Sequence, residues 1–173
     1  VTPEEIGKIA IQRGIPTIIS YFCRDVVKTI LKEHGQAKVI TATNVFAHIN
    51  GVNEIVECIL KLLDQDGVFI TECHYLGALV ETLQYDTIYH EHLMYYSLHT
   101  LKYLLVQHGL EIFHAKQIPT HGGSVRAYIS RKGRFPIKPS VVEILNQEES
   151  IELEGKKLLA FKDRVVVSKL ELH

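Results

Sequence analysis

The chain has 173 residues, 46% of them hydrophobic, so it can bury one core of ordinary size and is expected to fold as one unit. Its formal net charge is −1 with both signs interspersed, which excludes the basic stripe of a nucleic-acid-binding protein and the polybasic anchor of a membrane-surface protein. No apolar run reaches the roughly 18 residues of a membrane span, and the three cysteines include no CxxC pair, so we expect a protein of the reducing cytoplasm without a disulfide framework.

Helix and strand patterns alternate from the first residues onward. Residues 3–13 predict a helix, with Thr2 as its N-cap and Gly14 as its end. Residues 15–22 are β-branched and aromatic, which predicts a buried strand. Residues 25–34 predict a second helix. The first quarter of the chain is therefore expected to run helix, strand, helix.

A βαβ unit follows. Residues 38–43 predict a strand, and residues 53–63 carry apolar side chains at helical spacing. Asp66 and Gly67 then predict a turn into a second strand at residues 68–72. Two strands joined through a helix lie parallel in the same sheet, with a right-handed crossover.

The second half of the chain predicts one more helix, two strands and a helical tail. Ser97 is the expected N-cap of the helix, and residues 110–118 and 125–131 predict the strands. Residues 133–173 begin with glycine and prolines and continue as a long amphipathic helix interrupted at Gly155. The fold class predicted from this order is α/β.

Three short motifs concentrate the reactive side chains. Residues 85–92 have the sequence Tyr-Asp-Thr-Ile-Tyr-His-Glu-His, and residues 121–126 have the sequence His-Gly-Gly-Ser-Val-Arg. Residues 44–48, Asn-Val-Phe-Ala-His, directly follow a predicted strand. Imidazoles, a carboxylate and a tyrosine hydroxyl can together move a proton and hold an oxygen-rich substrate.

In order and spacing these motifs resemble those of the sugar C-methyltransferases, which use S-adenosylmethionine to methylate a carbon of a nucleotide-linked keto-deoxysugar. The resemblance covers residues 2–132. It implies a partial Rossmann-like class I methyltransferase domain at residues 1–132, with a mostly parallel sheet and an antiparallel edge pair. Residues 133–173 would then be a linker and a long helix leading to a further domain. The family's glycine-rich cofactor loop, acidic strand end and zinc module lie outside the chain, so it resembles a central fragment.

The resemblance also implies a cofactor side to the site. In an open α/β sheet, ligands bind beyond the carboxyl ends of the strands, and residues 44–48 and 72–75 are both expected just past such ends. Asn44 and the backbone of Val45 and Phe46 would line the S-adenosylmethionine pocket, together with Glu72. His48 would face the substrate.

Carbon methylation requires a base and a group that stabilises an enolate oxygen, because a carbon beside a ketone is a poor nucleophile until it loses a proton. We expect His92 to be the base, since the unperturbed pKa of histidine is about 6.5. Tyr89 would either donate to the enolate oxygen or position the sugar. Glu91 would either orient an imidazole or bind a sugar hydroxyl. The resemblance supports roles at or near the chemistry for these three residues and His48 without assigning each proton.

The His-Gly-Gly motif is expected on the substrate side. By resemblance, His121 and Arg126 would contact the sugar or its phosphates. Gly122 and Gly123 would allow backbone amides to approach the ligand closely.

Two other hypotheses stay open at this point. His90 and His92, with Glu91, His48, His74 or His121, would form a His/carboxylate site for iron or zinc. In a strand, His90 and His92 would share a face while Glu91 pointed away. The third hypothesis is a non-enzymatic binding module of the same fold, because the cofactor loop is not among these residues.

Overall fold

The computed structural model describes residues 3–153 and 155–171, so the predicted N-cap Thr2 lies outside the described residues. Helices and strands alternate along them as follows: α1 Pro3–Gln12, α2 Arg24–His34, β1 Ala37–Thr43, α3 Val52–Leu62, β2 Leu63–His74, α4 Leu76–Glu81, α5 Leu98–Val106, β3 Leu110–Ile118, β4 Ser124–Arg131, α6 Pro139–Ser150 and α7 Lys156–Glu171. Short 3-10 turns occupy Phe46–His48, Tyr85–Thr87 and Thr120–Gly122.

The four strands form one sheet in the order β1-β2-β4-β3. β1 and β2 are parallel, while β4 is antiparallel to both of its neighbours, β2 and β3. Three of the four strands therefore run in one direction. The predicted α/β class, the βαβ unit and the antiparallel edge pair are confirmed.

The strand predicted at residues 15–22 is wrong, because the chain there has no regular secondary structure. The segment folds back on α1, and the Ile15 amide donates to the Ala10 carbonyl at 3.0 Å. Pro16 has no amide hydrogen for a strand ladder. Ile15 and Ile18 are 56% and 49% exposed, so no sheet buries them. β-propensity takes effect only where a neighbouring strand pairs with the segment.

β2 is longer than predicted at both ends. It begins at Leu63, and its pairing with β1 shifts register between Ala37 and Val39, so Asp66 and Gly67 lie inside the strand as an irregularity. A Cβ on Gly67 would lie 2.9 Å from the Ala37 carbonyl oxygen, so glycine fits there. β2 also extends to His74, which places most of the segment 72–75 within the strand rather than beyond it.

The predicted helical tail is two helices, and Gly155 lies between them as the interruption predicted. α6 packs Val141 and Ile144 into the main core. α7 packs on α4, where the Arg164 guanidinium donates to the carbonyls of Val80 and Glu81 at 2.8 and 3.0 Å. Those carbonyls lie at the C-terminal end of α4, where they have no hydrogen-bond partner within the helix, so the arginine provides one. The division of the chain at residue 133 stays a prediction.

The core lies between one face of the sheet and helices α3, α5 and α6. Alternate residues of β2 point to the same face, and Phe69 and Cys73 contribute that face together with residues of β4 such as Ala127 and Ile129. The carboxyl ends of β1 and β2 lie side by side, because Thr43 pairs with Glu72. None of the helices in the described ranges combines the length and apolar character needed to cross a bilayer.

Candidate active site

A cavity of about 310 Å³ opens beyond the carboxyl ends of β1 and β2. We name it the histidine pocket, because four imidazoles border it. Five of its residues were predicted for the site, namely Asn44, His48, Tyr89, His92 and His121. The others are Ala47, Cys73, His74 and Thr87. The fold therefore brings together side chains from all three sequence motifs.

A reverse turn places Tyr89 against His92. The His92 amide donates to the Tyr89 carbonyl at 3.1 Å, so residues 90 and 91 form the exposed tip of the turn. The two rings lie 4.3 Å apart between centroids, and the Tyr89 hydroxyl is 3.2 Å from Nε2 of His92. The strand that would place His90 and His92 on one face does not form here.

A backbone carbonyl fixes the tautomer of His92. Nδ1 lies 2.9 Å from the Thr87 carbonyl oxygen, and a carbonyl can only accept, so Nδ1 carries the proton. In the neutral ring Nε2 then holds the lone pair, and the Tyr89 hydroxyl donates to it. An imidazole of this tautomer at a pocket can act as a general base once the Tyr89 hydroxyl no longer donates to Nε2.

His48 is held in the same way. Its Nδ1 lies 2.8 Å from the Glu91 carbonyl oxygen, which leaves Nε2 unprotonated in the neutral ring. The rings of His48 and His92 are 4.9 Å apart. Glu91 thus contributes its main chain to the site, while its exposed carboxylate is not part of the pocket lining. A side-chain role for Glu91 stays a prediction.

Burial controls two further residues of the pocket. Burial lowers the pKa of His74 most, the hydrogen bond that His74 makes to Gln84 opposes this, and the charges of His92 and His121 lower the pKa further. Burial raises the pKa of Cys73 to about 12, with the neighbouring Glu72 acting in the same direction. At neutral pH both groups are therefore uncharged, and the thiol is a poor nucleophile.

Glu72 and Arg126, predicted for different ligands, bind each other. They face one another across β2 and β4, and Nε and Nη2 of Arg126 donate to one carboxylate oxygen of Glu72 at 3.0 and 2.8 Å. The Thr120 hydroxyl donates to the other oxygen at 3.2 Å. Neither charged residue lines the histidine pocket, so cofactor binding by Glu72 and substrate binding by Arg126 stay predictions.

Packing explains the glycine pair of the third motif. His121, Gly122 and Gly123 all have positive φ, of 52°, 76° and 124°. A Cβ on Gly123 would overlap Cβ of Ala78, and one on Gly122 would overlap the side-chain amide of Gln84. The Gly123 amide already donates to the Thr120 carbonyl at 3.0 Å. The turn needs glycines for its own fold, and close approach of a ligand to these amides stays a prediction.

A second, apolar cavity of about 580 Å³ lies beside β1. Val45, Phe46 and His48 line it, so His48 stands between the two cavities. The Phe46 ring is buried on Phe69, with ring centroids 5.7 Å apart. Of these two cavities, Asn44 borders the histidine pocket; its backbone lies in the left-handed region at φ 54°, and its amide donates to the Glu72 carbonyl at 2.8 Å.

The metal hypothesis has no geometric support. Within residues 3–153 and 155–171, no three His, Cys, Asp or Glu side chains are grouped closely enough to hold a metal ion. The four imidazoles of the histidine pocket line it without converging on one point.

The contacts of the candidate site that sequence patterns did not predict come mostly from main-chain groups. Thr87 and Glu91 orient two imidazoles through their carbonyls, and every residue type has a carbonyl. The contact of Gln84 with His74 was not predicted either. The position of this polar side chain directly before the motif at residues 85–92 could have indicated it.

The chain is similar to known proteins in sequence and in fold. A family described as "Methyltransferase domain" matches residues 12–115. "C-methyltransferase NovU" of Streptomyces niveus is 34% identical over 146 residues, which cover 84% of this chain and 35% of the relative. The chain thus spans about a third of the length of that curated relative.

Two solved structures share the fold. The mitomycin 7-O-methyltransferase MmcR has a TM-score of 0.57 and 17% identity, over 75% of this chain and 39% of the other. An S-adenosylmethionine-dependent methyltransferase from Clostridium acetobutylicum has a TM-score of 0.52 and 13% identity, over 75% of this chain and 71% of the other.

Proposed function

Because the chain belongs to the methyltransferase domain family, we propose that it acts in an S-adenosylmethionine-dependent enzyme that methylates a carbon. The substrate we propose is a nucleotide-linked deoxysugar with a ketone beside that carbon. The 34% identity to a C-methyltransferase supports carbon as the acceptor atom. The three motifs and their meeting in one pocket support the sugar.

One observation carries this proposal, the tautomer of His92. Carbon methylation differs from transfer to a hydroxyl or amine in needing a base that removes a proton from carbon. The Thr87 carbonyl holds Nδ1–H of His92, so Nε2 is available as that base within the pocket. The tautomer is already set before a substrate binds, and only the Tyr89 hydroxyl has to leave Nε2 for the base to act.

In the proposed reaction, Nε2 of His92 takes the proton from the carbon beside the ketone. The electron pair of that C–H bond forms the carbon–carbon double bond of an enolate, and the charge goes to the former ketone oxygen. His92 becomes an imidazolium whose Nδ1–H remains bound to the Thr87 carbonyl. The ring of His48 lies 4.9 Å from that of His92.

Tyr89 couples binding to activation of the base. Without substrate its hydroxyl donates to Nε2 of His92 at 3.2 Å. A ketone oxygen entering the pocket competes for that hydrogen, and once the hydroxyl turns to the substrate, Nε2 is free. The same hydroxyl then stabilises the enolate oxygen.

The apolar cavity beside β1 suits one part of the cofactor. S-adenosylmethionine supplies a methyl group on a positively charged sulfur, which leaves as a neutral thioether. The lining is made of residues such as Ile40, Ala42 and Ile55 and includes no carboxylate, so it fits the adenine ring better than the ribose or amino-acid ends. We propose that Asn44, Val45 and Phe46 border the cofactor.

The expected test is solvent exchange, measured before methyl transfer in the enzyme that contains this chain. Wild-type enzyme should exchange the proton beside the ketone with deuterated solvent, followed by mass spectrometry. His92→Asn should lower both exchange and turnover by about a hundredfold or more, the range expected for loss of a general base.

His90→Asn is the matched control, because His90 lies at the exposed tip of the same turn and should leave exchange unchanged. Undiminished exchange in His92→Asn would move the base role to His48. If the wild-type protein exchanges no sugar proton and transfers no methyl group, the proposed function itself is wrong.

A further inference from the structure

We propose that Gln84 is the positioning residue of the histidine pocket, and that it presents His74 to the substrate as a hydrogen-bond acceptor through Nδ1. The identity of the substrate rests on the proposed function. The hydrogen-bond arrangement does not, and it follows from the contacts of Gln84 alone.

The orientation of the Gln84 amide is fully determined. Its Nε2 donates to the Gly122 carbonyl at 2.8 Å, and a carbonyl can only accept. Its second hydrogen goes to the Thr82 hydroxyl, whose own proton is donated to the Ala78 carbonyl at 2.8 Å. Both N–H groups are therefore used, and Oε1 is the atom that faces His74.

This orientation sets the proton on His74. Nε2 of His74 lies 3.1 Å from Oε1 of Gln84, so Nε2 must donate. Nδ1 is then the unprotonated nitrogen of the neutral ring, and burial lowers the pKa of His74, which favours that neutral state. Such a nitrogen is an uncharged acceptor that can bind a hydroxyl or an N–H group. It therefore suits the hydroxyl groups of a sugar substrate.

The backbone of Gln84 holds the catalytic side of the same pocket. Its carbonyl accepts from the Thr87 amide at 3.2 Å and from the Thr87 hydroxyl at 2.8 Å. Thr87 in turn accepts from Nδ1 of His92. One residue thus connects His74 and the turn at Gly122 through its side chain, and His92 through its main chain.

Two backbone features fit this role. Leu83 has a φ of 59°, a left-handed conformation that is unfavourable for a non-glycine residue. That conformation directly precedes the inward-facing Gln84. Gly122 has no Cβ, and a Cβ there would overlap the Gln84 amide. The strained backbone at Leu83 and the absence of a side chain at Gly122 thus both allow Gln84 to contact the Gly122 carbonyl.

The first test is nuclear magnetic resonance of imidazole nitrogens in the whole protein. Wild-type His74 should carry its proton on Nε2, whereas His92 and His48 should carry theirs on Nδ1. Gln84→Met keeps the length of the side chain and removes all three hydrogen bonds, so His74 should change to a mixture of tautomers. Gln107→Met is the matched control on an exposed glutamine at the end of α5 and should change nothing.

The second test separates binding from chemistry in the enzyme. Gln84→Met should raise KM for the sugar about tenfold, the effect of losing roughly one hydrogen bond. It should change kcat by less than about threefold, because the backbone contact to Thr87 remains. KM for S-adenosylmethionine should be unchanged. His74→Gln should raise KM for the sugar by a similar factor.

Several results would overturn the proposal. One is an unchanged His74 tautomer in Gln84→Met, and another is a loss confined to kcat. If the methionine variant does not fold, Gln84→Glu replaces the amide with a carboxylate acceptor and should raise the pKa of His74; an unchanged titration would refute the contact. The resonance measurements need no sugar, so they decide the role of Gln84 even if the proposed reaction is wrong.

Discussion

At the scale of single residues, the site depends on which nitrogen of each histidine carries a proton. Two backbone carbonyls, of Thr87 and Glu91, place the protons of His92 and His48 on Nδ1. The amide of Gln84 places that of His74 on Nε2. The pocket therefore contains two imidazole tautomers. The first is the one we propose for proton transfer, and the second is the one we propose for substrate binding.

The lowered pKa of His74 predicts a pH dependence of stability. Above the unfolded-state pKa of about 6.5 both states are neutral at this residue, and it has no effect on stability. As the pH falls through that value, the unfolded chain binds a proton that the folded protein does not, so stability is lost until the pH drops below the folded pKa.

The expected measurement compares wild-type protein with His74→Gln by urea unfolding at about pH 7.5 and about pH 5.5, on either side of the unfolded pKa. The variant lacks this loss, so the stability advantage of the wild type should shrink at the lower pH. An advantage that stays constant or grows would show that the imidazole is not held in its neutral form by the fold.

At the scale of elements, one carboxylate connects two helices. Glu148 of α6 is 4% exposed, and its two oxygens accept from the amides of Leu98 and His99 at 2.6 and 2.9 Å. Those amides belong to the first turn of α5, where backbone donors have no partner within the helix. A negative charge at that end is also favourable to the helix dipole. α6 therefore completes the N-terminus of α5, beside the Ser97 capping box.

Glu148→Gln should lower the free energy of unfolding by about 2 kcal/mol, because one of the two helix amides then faces an NH₂ group and loses its acceptor. Chemical unfolding followed by circular dichroism measures this loss. Glu149→Gln is the matched control on the neighbouring exposed carboxylate and should cost little. Equal stability of the two variants would show that solvent or another group replaces the contact.

The elements also show where sequence patterns are reliable. The βαβ unit was predicted because helix periodicity and turn residues are local properties. The segment 15–22 has equally strong strand propensity, yet it forms no strand. It lies against α1 so closely that a Cβ added to Gly7 would be 2.7 Å from the Ile19 side chain. Its conformation depends on distant partners, which no local pattern describes.

At the scale of the whole molecule, the sequence predicted which residues would meet at the candidate site. It did not predict the hydrogen bonds and ion pairs that these residues make. The motifs indicated His92, Tyr89, His48, Asn44 and His121, and all five border one pocket. The sequence could not show that Glu91 contributes a carbonyl, because carbonyls are common to all residues. It also could not show that Glu72 and Arg126 pair, since that contact depends on the register of β2 against β4.

The last prediction concerns the cofactor. We expect residues 1–173 alone to bind S-adenosylmethionine weakly or not at all, because the apolar cavity beside β1 offers surface for the ring and no carboxylate for the ribose hydroxyls. Each unpaired polar group that is buried costs about 1–3 kcal/mol, so binding should be at least about a hundredfold weaker than in a methyltransferase that also supplies polar partners for the ribose and amino-acid ends. Isothermal titration calorimetry measures both affinities, with circular dichroism confirming that the shorter chain is folded. Tight binding by residues 1–173 would contradict the prediction, and it would mean that Asn44 and its neighbours suffice to hold the polar ends of the cofactor.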